Sequence, residues 1–210
     1  MASKIKWLLV DIGDVLLVRN ENNKKSFSEL LAYELSVDSE LAQEINKIHY
    51  TTMEHKFISE DKFAADLKGK LNYDAPKDIF SYFERAYDTQ RRPNTKFSTF
   101  LNEVRAAGVK TGILSNMVAI YAPIQERVGI SKVGGFDPIL YSWDVQMTKP
   151  HKEIFKLALE RLNASPEEVM FIDDKTGHLE GAQEVGMETL LFEDTDNAIK
   201  EIRRLLGMVR

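Results

Sequence analysis

Residues 6–18, KWLLVDIGDVLLV, carry the clearest indication of how this chain folds. The first apolar run within them is short and uninterrupted, and it ends at Asp11. Such a run is typical of a strand that is buried on both faces of a parallel sheet. Because ligands bind beyond the carboxyl ends of the strands in open α/β sheets, Asp11 is expected at a binding edge.

Two later runs have the same form and predict further buried strands: KTGILSN at residues 110–116 and EEVMFIDD at residues 167–174. Other segments have apolar residues three and four positions apart, which predicts helices between and after the strands. We expect Gly108 to end one of these helices and Thr195 or Asp196 to cap the last one. The alternation predicts an α/β fold with a doubly wound, mostly parallel, Rossmann-like sheet.

The region after the first strand shows four helical patterns and no convincing buried strand. We therefore predict an α/β core of residues 1–19 and 93–210, with a helical subdomain of residues 20–92 inserted into it. Helix starts within the subdomain are expected at Ser39, Ser59 and Pro76.

Four residues of this region could carry chemistry but have plainer interpretations. His49 and His55 occur in a helical pattern and are expected on a helix surface. Arg91 and Arg92 lie near the return to the core, where a hinge or a solvated loop is expected.

Composition excludes several classes of protein and of site. The 210 residues are 43% hydrophobic and 29% charged, with a net charge of -5, which is a globular balance and disfavours a nucleic-acid partner. The chain has no cysteine, so a metal would need oxygen ligands or histidine. No apolar run approaches the length of about 18 residues that a membrane span needs, and we expect a cytoplasmic protein without a membrane partner.

Polar residues end the three predicted strands, and a lysine lies between the second and third. Carboxylates from two strands can hold Mg²⁺, while a lysine, a serine hydroxyl and backbone amides can neutralise and bind a phosphoryl group. An aspartate can also attack phosphorus as a nucleophile. The residues of this set are Asp11, Ser115, Asn116, Lys149, Asp173 and Asp174.

Four motifs resemble, in order and over essentially the full chain, those of the haloacid dehalogenase-like hydrolases: VDIGDVL, ILSN, KP and FIDDKTGHLEGAQEVGM. The resemblance implies that the helical insertion is the cap domain of that family and that Mg²⁺ is the cofactor. It further implies that Asp11 is the nucleophile and a metal ligand and that Ser115 and Asn116 bind phosphate. By the same resemblance, Lys149 orients and neutralises phosphate and nucleophile, Asp173 and the backbone carbonyl of Gly13 ligate the metal, and Asp174 acts on the metal site indirectly. His178 departs from the family, whose members commonly carry Asn there, and a histidine at this position can alter indirect contacts with the metal or supply a titrating group near the site.

The first motif departs from the usual pattern of the family at Gly13. Phosphatases of the family usually have a second Asp there, which protonates the leaving oxygen and then activates water. Asp14 comes one residue late and is expected to point elsewhere. Since acid–base help contributes about 10²–10⁴-fold, we expect a preference for good leaving groups, such as the anomeric oxygen of a sugar 1-phosphate. DIGDVL resembles a subgroup with Asp-x-Gly-Asn or similar, which includes an α-D-glucose-1-phosphatase.

Three functions remain open. The leading one is a Mg²⁺-dependent phosphatase of a small phosphorylated metabolite, such as a sugar phosphate. A hydrolase that attacks carbon, as 2-haloacid dehalogenases do, would also lack the second Asp and would need no metal. A phosphate- or metal-binding protein without turnover is the third, and Gly13 is its main support. The sequence leaves the substrate and the oligomeric state open.

Overall fold

A central sheet of parallel strands forms the core of the computed structural model, which describes residues 4–53, 58–118, 121 and 134–208. The strands are β1 (Trp7–Val10), β2 (Leu17–Arg19), β3 (Arg91–Pro93), β4 (Lys110–Ser115), β5 (Phe136–Tyr141), β6 (Val169–Asp173) and β7 (Glu188–Leu191). Five of them pair in the order β5-β4-β1-β6-β7, and every pairing is parallel. Strand β1 therefore lies at the centre, where the chain order reverses.

Helices from the core segments of the chain cover both faces of this sheet, and further helices belong to the insertion. The helices are α1 (Phe27–Leu35), α2 (Ser39–Met53), α3 (Glu60–Leu71), α4 (Ile79–Gln90), α5 (Thr95–Ala106), α6 (Ser142–Val145), α7 (Lys152–Leu162), α8 (Thr176–Gln183) and α9 (Thr195–Leu206). Along β1, Leu8 and Val10 belong to the same apolar cluster as α5 and α9, whereas Leu9 packs with α7 and α8. All three side chains are fully buried, so the predicted doubly wound sheet is confirmed.

The helices α1 to α4 are inserted between β2 and β3, which confirms the predicted helical insertion. Strands β2 and β3 pair antiparallel, with Leu17 opposite Pro93 and Arg19 opposite Arg91, and they form a short ribbon where the chain leaves and re-enters the core. The sequence does not predict this ribbon, because strands of three residues are too short to show a period. The division of the chain at residues 20 and 92 stays a prediction.

His49 is fully buried, so its expected position on a helix surface was wrong. It follows Ala42 and Ile45 on the buried side of α2, at the spacing of one helix face. Its ring stacks on Phe83 of α4 at 4.3 Å between centroids. His55 lies outside the described residues.

The helices begin and end close to the predicted residues, and two helix starts are shifted along the sequence. Ser59 caps α3, since its side chain accepts from the amide of Lys62, and Gly108 follows the end of α5 with a φ of 90°. The cap of α9 is Asp194, not Thr195 or Asp196.

The second shift is in the helical insertion, where α4 begins at Ile79, three residues after Pro76. Ser39 is the first residue of α2, and Asp38 before it accepts from the amide of Leu41. Across the part of the chain that the structure describes, each helix is too short or too polar to cross a bilayer.

Candidate active site

Three adjacent strands bring the predicted site residues to one edge of the sheet. Asp11 follows β1, Ser115 ends β4 and Asp173 ends β6, and β1 pairs with both neighbours. The amide of Asp11 donates to the carbonyl of Ile172 at 2.9 Å, which continues the ladder to the point where the carboxylate begins. The parallel register therefore determines which side chains meet.

Lys149 joins two of these carboxylates. Its Nζ lies 2.9 Å from Asp11 Oδ1 and 2.6 Å from Asp173 Oδ2, and it also donates to the carbonyl of Leu114 at 3.1 Å. The lysine side chain is fully buried. A buried ammonium needs such partners, because an unpaired charge would lose its hydration without compensation. The contacts hold Nζ against both acids.

Asn116 holds the backbone that carries this lysine. Its Nδ2 donates to the carbonyl of Lys149 and its Oδ1 accepts from the Lys149 amide, both at 2.9 Å. Ser115 is buried and lines the same cavity as Asn116 and Lys149. The predicted contacts of Ser115 and Asn116 with phosphate stay predictions.

Three carboxylates form a cluster with the donor chemistry of a hard-metal site. Asp11, Asp173 and Asp174 each offer an oxygen, and these oxygens lie within 4.8 Å of one another. Burial and then the charges of Asp11 and Asp173 raise the pKa of Asp174 to about 6. A bound cation would relieve this repulsion, and oxygen ligands suit Mg²⁺. Gly13 lines the same cavity.

His178 contacts the cluster through Asp173. Its Nδ1 lies 3.0 Å from both carboxylate oxygens, and the amide of Lys175 donates to Oδ1 at 2.9 Å. Burial alone would raise the pKa of Asp173, but the hydrogen bond from His178 and the charge of Lys149 outweigh it and lower that pKa to about 2. Asp173 is therefore held ionised.

The cavity above the cluster has a volume of about 410 Å³ and reaches the helical insertion. The cavity is lined by Tyr50 of α2, Tyr87 of α4 and Tyr121. It is also lined by Asp14, which lies in the loop after β1, and by Arg91 of β3. The Arg91 guanidinium donates from Nη1 to Asp14 Oδ1. Burial alone would lower the pKa of Arg91, but the hydrogen bond and charge of Asp14 outweigh it and raise that pKa.

Arg91 and Arg92 were expected in a hinge or a solvated loop. The structure instead places Arg91 in strand β3 and in the lining of the cavity. Arg92, its neighbour, is exposed and pairs with Glu21 at 2.9 Å, away from the cavity lining. The structure places Arg91, at the return to the core, beside Asp14 of the first motif. Its partner Asp14 is 77 residues away in sequence, and no local pattern indicates that contact.

The chain has relatives among known proteins. A family model described as haloacid dehalogenase-like hydrolase matches residues 5–186. Bifunctional epoxide hydrolase 2 of Sus scrofa is 42% identical over 73 residues, which are 35% of this chain but only 13% of that protein. The glyceraldehyde 3-phosphate phosphatase of Methanocaldococcus jannaschii is 26% identical over 98% of this chain and 97% of its own length.

A solved structure shares the fold. It is a family enzyme of Bacteroides thetaiotaomicron in complex with magnesium and inorganic phosphate. The TM-score is 0.73 at 22% identity, and the match covers 92% of this chain and 98% of that one.

Proposed function

Because the chain belongs to the haloacid dehalogenase-like hydrolases, we propose that it is a Mg²⁺-dependent phosphatase of a small phosphorylated metabolite, with sugar phosphates as the first candidates. The observation that carries the proposal is the position of Lys149 Nζ, which contacts Asp11 and Asp173 beside the three-carboxylate cluster. Phosphoryl transfer is favoured by a nucleophile, a cation and carboxylates that can bind a metal ion, and all three lie at one edge of the sheet. The phosphatase of Methanocaldococcus jannaschii, which the chain matches along nearly its full length, supports the same reaction.

Asp11, Asp173 and the backbone carbonyl of Gly13 would hold Mg²⁺, and Asp174 would act on it indirectly. The bound cation would neutralise charge on the phosphoryl oxygens and let a phosphate approach the carboxylates. The structure of the Bacteroides thetaiotaomicron enzyme with magnesium and phosphate supports this choice of metal. His178 contacts Asp173 and would keep its carboxylate in place.

The reaction would proceed in two displacements on phosphorus. A carboxylate oxygen of Asp11 attacks phosphorus, the bond to the leaving oxygen breaks, and that oxygen takes a proton from water. Water then attacks the phosphorus of the aspartyl phosphate and loses a proton, which releases inorganic phosphate and restores the carboxylate. Lys149 neutralises both the attacking group and the transferred phosphoryl group, and Asn116 keeps Lys149 in position.

Gly13 would shape the choice of leaving group. Without an acid at this position, a leaving oxygen that needs little protonation reacts best. Sugar 1-phosphates should therefore be hydrolysed faster than their 6-phosphate isomers. The similarity of DIGDVL to the subgroup with an α-D-glucose-1-phosphatase supports this preference.

The test is phosphate release from paired sugar 1- and 6-phosphates, with Mg²⁺ and with a chelator. We expect release that the chelator abolishes, a faster rate with the 1-phosphates, and no release by Asp11→Asn. Metal-independent turnover of a 2-haloacid would instead indicate attack on carbon. Tight phosphate binding without turnover of any compound would indicate a binding protein.

A further inference from the structure

The ion pair between Arg91 and Asp14 belongs to the same cavity as the proposed nucleophile. Asp14 lies three residues after Asp11 in the loop beyond β1, and Arg91 opens β3, where the chain returns from the helical insertion. The pair therefore connects the catalytic loop to the ribbon that carries the insertion. None of the roles proposed above uses it.

The pair has hydrogen-bonding capacity left for a ligand. Arg91 donates from Nη1 to Asp14, while its buried Nε has no hydrogen-bond partner within the described ranges. A guanidinium carries five N–H groups in a fixed plane, so one carboxylate does not occupy it fully. The side chains are 20% and 48% exposed, which leaves both within reach of a molecule in the cavity.

Three tyrosines form the aromatic part of the cavity wall. Tyr50, Tyr87 and Tyr121 line the cavity, and the rings of Tyr87 and Tyr121 stack at 4.4 Å between centroids. Tyrosines offer a carbon face and a hydroxyl together. Within the described ranges, the other cations of the cavity wall are Lys149 and Lys175. They act on the carboxylate cluster, the first by direct contact and the second by its charge near Asp174.

We propose that Arg91, Asp14 and the three tyrosines form the subsite for the leaving group, and that this subsite favours uncharged, hydroxyl-bearing leaving groups over those with a second anionic group. Asp14 balances the charge of Arg91. A leaving group with a carboxylate or a second phosphate would therefore meet the negative charge of Asp14, and the cation of the subsite would already be paired. A hydroxyl can accept from the guanidinium and donate to Asp14 at once. This inference rests on the proposed function, since it assigns the leaving group of that reaction.

Glycerol 3-phosphate and 3-phosphoglycerate test the inference, because they differ in a hydroxymethyl group against a carboxylate. Their affinities are measured by calorimetry with Mg²⁺ in an Asp11→Asn background, which removes turnover. We expect the reference protein to prefer glycerol 3-phosphate. Asp14→Asn should shift the affinity ratio toward 3-phosphoglycerate by about tenfold, because it leaves the charge of Arg91 unbalanced in a partly buried site.

Two further variants separate charge from folding. Asp14→Asn combined with Arg91→Gln removes both charges and should return the ratio to within about twofold of the reference. Arg92→Gln is the matched control, since this arginine lies on the same strand but faces Glu21, and it should leave the ratio unchanged.

Several results would overturn the inference: a preference of the reference protein for 3-phosphoglycerate, no binding of either ligand at millimolar concentration, or an equal weakening of both by Asp14→Asn. The last result would make the pair a structural contact of the ribbon. Failure of the proposed function is a separate result, namely no phosphate release by the protein with Asp11 intact. In that case the ratio of the two ligand affinities still tests the subsite.

Discussion

At the scale of single residues, the backbone at Gly13 has room for the Cβ of the acid that the first motif lacks. A Cβ at this position would lie 3.7 Å from Asp11 Oδ2, an ordinary contact distance, and the φ of Gly13 is not positive. Neither the backbone angle nor a close contact at Cβ therefore requires glycine here. A side chain here would lie beside the nucleophile.

Gly13→Asp should accelerate the hydrolysis of simple alkyl phosphates by about 10²-fold, because it restores a proton donor beside Asp11. The measurement is kcat/KM for an alkyl phosphate and a sugar 1-phosphate in parallel, and the gap between them should narrow. Gly69→Asp is the control, since a Cβ at this position on α3 would meet nothing within 4 Å and lies outside the cavity lining. An unchanged ratio would argue that another group already supplies the proton.

Lys149→Met should lower kcat by about 10²–10³-fold, because it removes the cation that would stabilise the transferred phosphoryl group. It should also lower the free energy of unfolding without metal by about 3–5 kcal/mol, since the carboxylates of Asp11 and Asp173 lose their buried partner. Thermal unfolding with and without Mg²⁺ checks this, and the metal should stabilise the variant more than the parent. Equal metal stabilisation of both proteins would contradict the account.

At the scale of elements, helix α8 packs against the segment that carries the lysine. A Cβ on Gly181 would lie 2.1 Å from the carbonyl oxygen of Pro150, so only glycine permits this approach. Pro150 follows Lys149 directly, and α8 also carries His178. The spacing of helix and loop thus sets the positions of two site residues.

Gly181→Ala should destabilise the fold by about 1–3 kcal/mol through overpacking and should lower kcat as the Lys149 segment shifts. Gly177→Ala on the same helix is the matched control, because its Cβ would meet nothing within 4 Å. We expect that control to be neutral or slightly stabilising, by the higher helix propensity of alanine. Thermal unfolding and phosphate release measure both variants, and equal effects of the two would contradict the packing argument.

At the scale of the whole molecule, His49 couples the stability of the fold to pH. Burial among Phe63, Phe83 and Tyr121 lowers the pKa of His49 from 6.5 to about 3. Between these two values the unfolded chain binds a proton that the folded chain does not. The contribution of His49 to the free energy of unfolding is therefore fully present above pH 6.5 and is lost as the pH falls toward 3.

From pH 7 to pH 5 the free energy of unfolding should fall by about 2 kcal/mol through His49. Denaturant unfolding at both pH values measures this, and His49→Leu should remove that part of the pH dependence. His151→Gln changes an exposed histidine and should leave the dependence in place. A pH dependence of the same size in His49→Leu as in the parent protein would assign the effect to other groups.

The sequence by itself determined the elements with a strong local signal. The runs that became β1, β4 and β6 are buried on both faces and are therefore largely apolar, and α5, α7 and α9 show a clear apolar period. Strands β5 and β7 were missed because they are edge strands: Pro138 interrupts the first, and the second is only partly buried. The order of four motifs then indicated the family and the candidate site.

Only the tertiary structure decided which of those residues touch. Lys149 reaches Asp11 across 138 residues and Asp173 across 24, and Arg91 reaches Asp14 across 77. It also decided that His49 is buried. Local sequence patterns report the burial and spacing of neighbours along the chain, whereas these contacts depend on the order of parallel strands and on how the helical insertion returns to the core.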